Sequence, residues 1–313
     1  MIRPPGPGPD ATRRDGHRLY RAPVWLPWVG GDRLPPRSRM VPEKHHHAGG
    51  NDQEARWMGT PRLLLVHAHP PDDESLWTGG LTARHVDAGG EADLVMCTWA
   101  EGTIRHQELT EAVDILGMPR PPIMLATPTI AAPPESAPPD AERLCAASFD
   151  EQVRALTKHI RELKPDIVVT YDALGIYGHP DHVHAHRLAC AAADAAASTK
   201  LYHRAGPAWR VRSLYFATIP EWMMDLLAPP GLFPEIPREQ LPGTPDSEID
   251  VVVDVSDLAA RKKAGVTAHR SEVDRSRAIA GGFMSLPDEI QHKLLGVECY
   301  QRRDLVPGGC DLI

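Results

Sequence analysis

The 313-residue chain has no run approaching the roughly 20 consecutive apolar residues of a membrane-spanning helix. Its N-terminus has no apolar segment of the secretory type. A cytoplasmic enzyme is the expectation. Cysteine is scarce: Cys97, Cys145, Cys190, Cys299 and Cys310 are all there is. An odd count with no CxxC pair argues against a disulfide framework and against a thiolate zinc site, and leaves the thiols as small buried apolar groups. No GxGxxG follows the first strand and no GxxxxGK[ST] occurs, so dinucleotide and P-loop sites are unsupported. Internal repeats with a period of about 20–50 residues are also missing, which excludes solenoids and propellers.

What is present is an ordinary globular composition, 42% hydrophobic and 24% charged. The net charge of −8 is unevenly spread: residues 1–57 hold ten Lys/Arg against six Asp/Glu, a balance of +4, which leaves −12 on the rest. So acidic a body does not suit a nucleic-acid backbone as partner. The first 57 residues contain nine of the 32 prolines and no sustained apolar period. They read as a disordered or loosely packed leader, with the His45-His46-His47 run a feature of that tail. Residues 58–313 read as the folded domain.

From Pro61 onward strands and helices alternate. Strands are expected at Arg62–His67, Ala92–Thr98, Asp166–Tyr171, Val211–Ile219, Ile249–Val255 and Val297–Arg302, with a short one at Ile123–Thr127. Helices are expected at Glu74–Ala88, Gln107–Leu116, Phe149–Leu163, Asp181–Ala197 and Asp257–Asp274, and proline-rich loops at 129–141 and 229–247. Val153, Leu156, Ile160 and Leu163 share one side of the third helix. Continuous apolar strands between helices predict an α/β fold, Rossmann-like, with a mostly parallel sheet covered on both faces.

Two clusters interrupt this pattern. "HAHPPDDES" follows the Arg62–His67 strand and "YGHPDHVHAH" follows the Asp166–Tyr171 strand. Ligands bind beyond the C-terminal strand ends of such sheets, so the fold brings His69, Asp72 and Asp73 to the same rim as His179, Asp181 and His182. Imidazole and carboxylate together suit zinc and similar divalent ions. A catalytic zinc keeps a position for water, a carboxylate can take that water's proton, and a further imidazole can hydrogen-bond an oxyanion. An HPxD sequence is also a good turn and helix N-cap, so either cluster alone has a purely local reading. Their joint placement is what points to a site.

"HAHPPDDES" together with "TYDALGIYGHPDHVHAH" resembles the LmbE-like, or PIG-L, family of zinc-dependent N-deacetylases, and most of all its mycothiol-pathway members. "IRELKPDIVVTYD" and "AGVTAHRSEV" extend the likeness, which runs from about Arg62 to Val306. The resemblance implies the LmbE-like deacetylase fold and a hydrolase that uses zinc-activated water to remove acetyl from an N-acetylglucosamine conjugate of the GlcNAc-inositol type. It implies one zinc per chain; iron(II) suits the same ligands. A mycothiol S-conjugate amidase is the alternative within the family, and a non-catalytic binding protein on the same fold the alternative outside it. By this resemblance His69, Asp73 and His182 hold the metal, and Asp72 is the general base. His179 is the oxyanion imidazole and Asp181 its orienting carboxylate. Tyr177 is a mobile residue at the entrance, and Arg105 contacts substrate. The partner implied is a small amino-sugar conjugate.

The chain departs from the family pattern twice. HPDDE is written here as HPPDDE. Counted back from the following strand, Asp73 takes the metal and Asp72 is the base; counted forward, Asp72 takes the metal and Pro71 stands where the base belongs. Both registers stay open at this stage. Secondly, "PTIAAPPESAPPD" at 128–140 shows no clear equivalent of a substrate-binding carboxylate that the family places there. Of the other histidines, His67 and His186 are expected to support the site, His184 to follow on the same helix, and His269 to line the pocket.

Overall fold

The computed structural model of the chain describes residues 60–69, 72–98, 101–125, 144–227, 242–274 and 279–312. The leader at 1–57, the proline-rich stretch at 128–140, most of the 229–247 loop, and Pro70 and Pro71 lie outside the described residues.

Seven strands form one sheet: β1 (Leu63–His67), β2 (Ala92–Met96), β3 (Ile123–Met124), β4 (Ile167–Tyr171), β5 (Ser213–Thr218), β6 (Val251–Asp254) and β7 (Val297–Asp304). Their order is β3-β2-β1-β4-β5-β7-β6. The first five run parallel, while β7 pairs antiparallel with both β5 and β6. Every residue of β1, β2, β4 and β5 is buried. That is the signature of a sheet covered on both faces, and it is why these strands read as unbroken apolar runs.

Strand order reverses between β1 and β4, which are hydrogen-bonded neighbours. Chains leaving their C-terminal ends turn to opposite sides and open a crevice there. Both clusters begin at this point. Behind it, the Phe149–Leu163 helix packs Val153, Leu156 and Ile160 into the core against the alanine face of the Pro180–Ala197 helix. Buried Arg161 ties the two together. Its guanidinium donates to the carbonyls of Ala195, Ala196 and Ser198, where the second helix ends, and to those of Leu201, Tyr202 and Gly206 just beyond. The first three are among the carbonyls a helix end leaves without an intrahelical partner.

The expected Glu74–Ala88 helix is two helices, Asp73–Leu76 and Gly79–Asp87. The break is made from the far end of the chain: Glu298 on β7 accepts from Gly80 N at 2.8 Å and Leu81 N at 2.9 Å, so a carboxylate caps the second helix. A Cβ on Gly80 would lie 2.6 Å from the Val255 side chain, so the close approach requires glycine. The expected Asp257–Asp274 helix is likewise divided, into a short 3-10 turn followed by Ala259–Ala268 and Arg270–Val273. Three helices without strong periodicity, Glu221–Leu227, Ile279–Met284 and Asp288–Leu295, were not expected.

Candidate metal centre

β1 delivers His69 and, after the two prolines, Asp72 and Asp73. Asp72 has a left-handed backbone (φ 58°), and Asp73 opens the Asp73–Leu76 helix. β4 delivers the segment from Asp172 to His179, and the Pro180–Ala197 helix delivers His182. His179 caps that helix: its Nδ1 accepts from the Asp181 backbone amide at 3.2 Å, with Pro180 in the first turn. Between them lies a contorted turn. Ile176 is buried with φ 66°, a conformation unfavourable for a β-branched residue. Asp172 holds it, accepting from Ile176 N at 2.8 Å through Oδ1 and from the Thr218 hydroxyl at 2.6 Å through Oδ2. Gly175 has φ 68°, and a Cβ there would meet His182 Cβ and Val183 N at 2.7 Å, so the turn lies directly on the helix that carries His182.

The side chains converge. His182 Nε2 lies 3.2 Å from His69 Nε2 and 3.2 Å from Asp73 Oδ2. His69 Nδ1 lies 3.8 Å from the same carboxylate oxygen. Donor atoms bound to zinc at about 2.0–2.1 Å in a tetrahedron are spaced about 3.3–3.4 Å from one another, so the two separations from His182 Nε2, to His69 Nε2 and to Asp73 Oδ2, fit a shared ion, while the 3.8 Å contact is made by the other nitrogen of the His69 ring. The ligand atoms of His69, His179 and His182 also lie within 4.8 Å of one another, a group of imidazoles able to hold a metal ion.

Asp73 is pinned at both oxygens. Trp77 Nε1 donates to Oδ1 and the Tyr171 hydroxyl to Oδ2, each at 2.8 Å. Tyr171 also accepts from Ala68 N at 2.8 Å, and its ring stacks on His182 with centroids 4.1 Å apart. Burial alone would raise the Asp73 pKa, but the adjoining imidazoles, His182 first, outweigh it and hold the carboxyl well below the usual range. Asp72 goes the other way. Burial pushes its pKa well up, and Asp73, Glu74 and Glu272 add to that, with Arg105 opposing. Asp72 Oδ2 is buried and has no hydrogen-bond partner among the described residues. His69 is pushed down to about 3, by burial first and then by His182, His179 and Arg105 against Asp73, so the ring is neutral and its lone pair is free to bind a cation. Burial also lowers His179, with His182 assisting.

Six of the eight residues singled out in the sequence therefore meet: His69, Asp72, Asp73, Tyr177, His179 and His182. Tyr177 is half-buried with its ring 5.1 Å from that of His182. Asp181 reaches the site through its backbone amide, while its carboxylate accepts from Cys145 Sγ at 3.2 Å. Arg105 is ion-paired with Glu272. His67 bonds the Thr78 hydroxyl at 3.1 Å, and His186 Nδ1 donates to the Tyr171 carbonyl at 2.9 Å. His184 bonds Gln152 at 2.6 Å, away from the cluster. His269 is fully buried and forms an ion pair with Glu74 at 2.8 Å. Tyr171, Trp77, Asp172 and Glu272 were not singled out. Only Trp77 left a readable sign, four residues beyond Asp73 on a helix.

The family described as PIG-L, GlcNAc-PI de-N-acetylase, matches residues 64–193. A 1D-myo-inositol 2-acetamido-2-deoxy-alpha-D-glucopyranoside deacetylase of Tsukamurella paurometabola is 34% identical over 284 residues, spanning 77% of this chain and 92% of that protein. The protein of the same name from Mycobacterium leprae is 38% identical over 250 residues, spanning 68% and 81%. Among solved structures, a conserved protein from Thermus thermophilus is 26% identical with a TM-score of 0.51, over 80% of this chain and 97% of that one. The N,N'-diacetylchitobiose deacetylase of Pyrococcus horikoshii shares the fold at 18% identity, TM-score 0.51, over 79% and 85%.

Proposed function

We infer the activity from one premise: this chain belongs to the PIG-L family of de-N-acetylases. It is a metal-dependent hydrolase that removes acetyl from a small N-acetylglucosamine conjugate, of the inositol glucopyranoside kind for which its relatives are named. The observation that carries this reading is the meeting of His69 and Asp73 at His182, each 3.2 Å from its Nε2, in the crevice between β1 and β4.

His69, His182 and Asp73 would hold the ion, zinc or iron(II). Asp73 is preferred to His179 as the third ligand because it is anionic and fixed by two donors, whereas His179 already spends Nδ1 on the Asp181 amide. When bound, such an ion polarises an amide carbonyl and acidifies water. The chain's own groups do the rest. Asp72 accepts a proton from the attacking water, through the buried Oδ2 that has no hydrogen-bond partner among the described residues. In the neutral ring of His179, Nδ1 is an acceptor, so the proton sits on Nε2, where it can be donated to the oxyanion. The proton taken by Asp72 passes to the departing amine as the C–N bond breaks, giving acetate and a free amino sugar. Tyr177 shields the imidazoles from solvent, and Arg105 contacts the substrate.

The test combines metal analysis with amine release from GlcNAc-inositol. One metal per chain and release of the amine are expected. Asp72→Asn should keep the metal and lose roughly 10²–10⁴ in rate. Asp73→Asn should lose the metal, and His179→Ala should keep it. Metal retained in Asp73→Asn but lost in His179→Ala would replace this ligand set with three imidazoles. Metal without amine release would favour the amidase, and no metal at all the binding protein.

A further inference from the structure

An apolar cavity adjoins the metal centre without being part of it. It holds about 530 Å³, the open space at its mouth included, an ordinary size for a small-molecule site. None of the six residues that converge on the metal centre lines it. Trp77, Thr218 and Glu298 stand in its wall, with Met223, Phe283 and Leu294 among the apolar groups between them. We propose that this cavity binds a small uncharged apolar molecule, about one ring in size, and that its occupancy tightens metal binding through Trp77. The coupling rests on Asp73 as a metal ligand, as read above; the cavity does not.

The polar side chains of the wall have their hydrogen bonds spent elsewhere. Trp77 gives its one N–H to Asp73 Oδ1 at 2.8 Å. Thr218 donates its hydroxyl to Asp172 Oδ2 at 2.6 Å and accepts from that of Thr244 at 2.5 Å. Glu298 Oε1 faces Gly80 N and Lys262 Nζ, and its Oε2 accepts from Leu81 N and the Tyr300 hydroxyl. Among the described polar side chains of the wall, that leaves the Cys299 thiol, a weak donor. Water settles in such a space only with two or more polar partners, and a polar guest would give up its hydration for nothing. An apolar guest has no such loss and gains close contact with the lining.

The cavity also touches both arms of the metal centre. Trp77 follows the Asp73–Leu76 helix, and its indole is at once cavity wall and donor to Asp73. Thr218 ends β5 and holds Asp172, which fixes the turn lying on the helix that carries His182. A guest against the indole fills the space into which Trp77 could turn. Nε1 then stays on Asp73 and the carboxylate stays set for the ion. Metal held by Asp73 fixes the indole for the guest in return, because such coupling runs equally in both directions.

The probe is toluene, with benzoate as its charged counterpart, on the full chain with and without zinc. Saturation-transfer NMR should show toluene bound and benzoate not. Competition against a chromophoric zinc chelator should show zinc bound about fivefold or more tighter in saturating toluene. Trp77→Phe keeps a ring in the wall but has no N–H, so it should still bind toluene while the zinc effect falls to within about twofold. Ala217→Leu grows into the cavity and should exclude toluene; Cys299→Leu serves if that variant does not fold. A wild type that binds no toluene, benzoate bound as well as toluene, or toluene still bound in the filled variant overturns the site. Toluene bound with zinc affinity unchanged within about twofold, or a zinc effect that persists in Trp77→Phe, overturns the coupling. A chain that binds toluene but no zinc overturns the metal-centre reading instead, and the coupling with it.

Discussion

Tyr171→Phe removes a single oxygen, and the structure says what that oxygen does. It accepts from Ala68 N, where β1 ends, and donates to Asp73 Oδ2, each at 2.8 Å. Phenylalanine keeps the ring and its stacking on His182 but leaves the Ala68 amide without an acceptor and Asp73 with Trp77 and the imidazole of His182. A hydrogen bond to a charged group contributes about 1.5–3 kcal/mol, and a buried donor left unpaired costs about 1–3 kcal/mol. The two losses share one atom, so they do not simply add; a total of about 2–4 kcal/mol is expected. In a domain of this size each kcal/mol is about 2–4 °C of Tm, so the metal-free variant should melt roughly 5–10 °C lower. Losing a hydrogen-bond partner of a proposed ligand should also weaken metal binding by roughly 10–100-fold. Scanning calorimetry in chelator measures the first effect, and competition against a chromophoric zinc chelator the second. A lowered Tm with unchanged zinc affinity would refute the reasoning. Tyr171 would then be a bridge between strand and helix only, and Asp73 would not be a ligand.

Gly175→Ala adds a methyl group 2.7 Å from His182 Cβ and Val183 N at a residue with φ 68°, and should cost about 2–4 kcal/mol in urea unfolding while weakening zinc binding; full stability in this variant would mean the turn does not press on the helix. His67 is buried with its pKa pushed down to about 4, by burial first and against the raising effect of Asp73 and Glu74. The unfolded chain therefore binds this proton first, so the metal-free protein should lose stability as pH falls from 6.5 towards 4, by up to about 1.4 kcal/mol per unit, and His67→Gln should flatten that slope if the assignment holds.

The frame of the fold was legible because its signals are local. β1, β2, β4 and β5 are mostly apolar runs of five or six residues, and the Phe149–Leu163 helix shows its buried face at helical spacing. What escaped is set by distant residues. Gly79-Gly80 just after Trp77 is the one local sign of the break; the carboxylate that starts the next helix is Glu298, 218 residues from Gly80. The same holds at the site. Residue type and position after β1 and β4 mark His69, Asp73, His179 and His182, but the donors that fix Asp73 include Tyr171, 98 residues away, and the partner of Arg105 is 167 residues away. Arg105 was expected to contact substrate on its own, and a pairing across that separation leaves no periodic trace in the chain.

The paired aspartates show how far residue type alone can go. In "HPPDDE" the two are equivalent by composition, and the added proline makes either one a candidate for the metal. Their surroundings separate them. Asp72 takes a left-handed backbone and faces burial, Asp73, Glu74 and Glu272, all of which favour the protonated acid. Asp73, one residue on, is helical and faces two hydrogen-bond donors and a set of imidazoles, which favour the carboxylate. Two adjacent acids driven apart in this way suit different tasks, one to stay charged and hold a cation, the other to take up a proton and give it back. Glu272 acts on both sides of this arrangement, since the carboxylate that neutralises Arg105 also helps to raise Asp72.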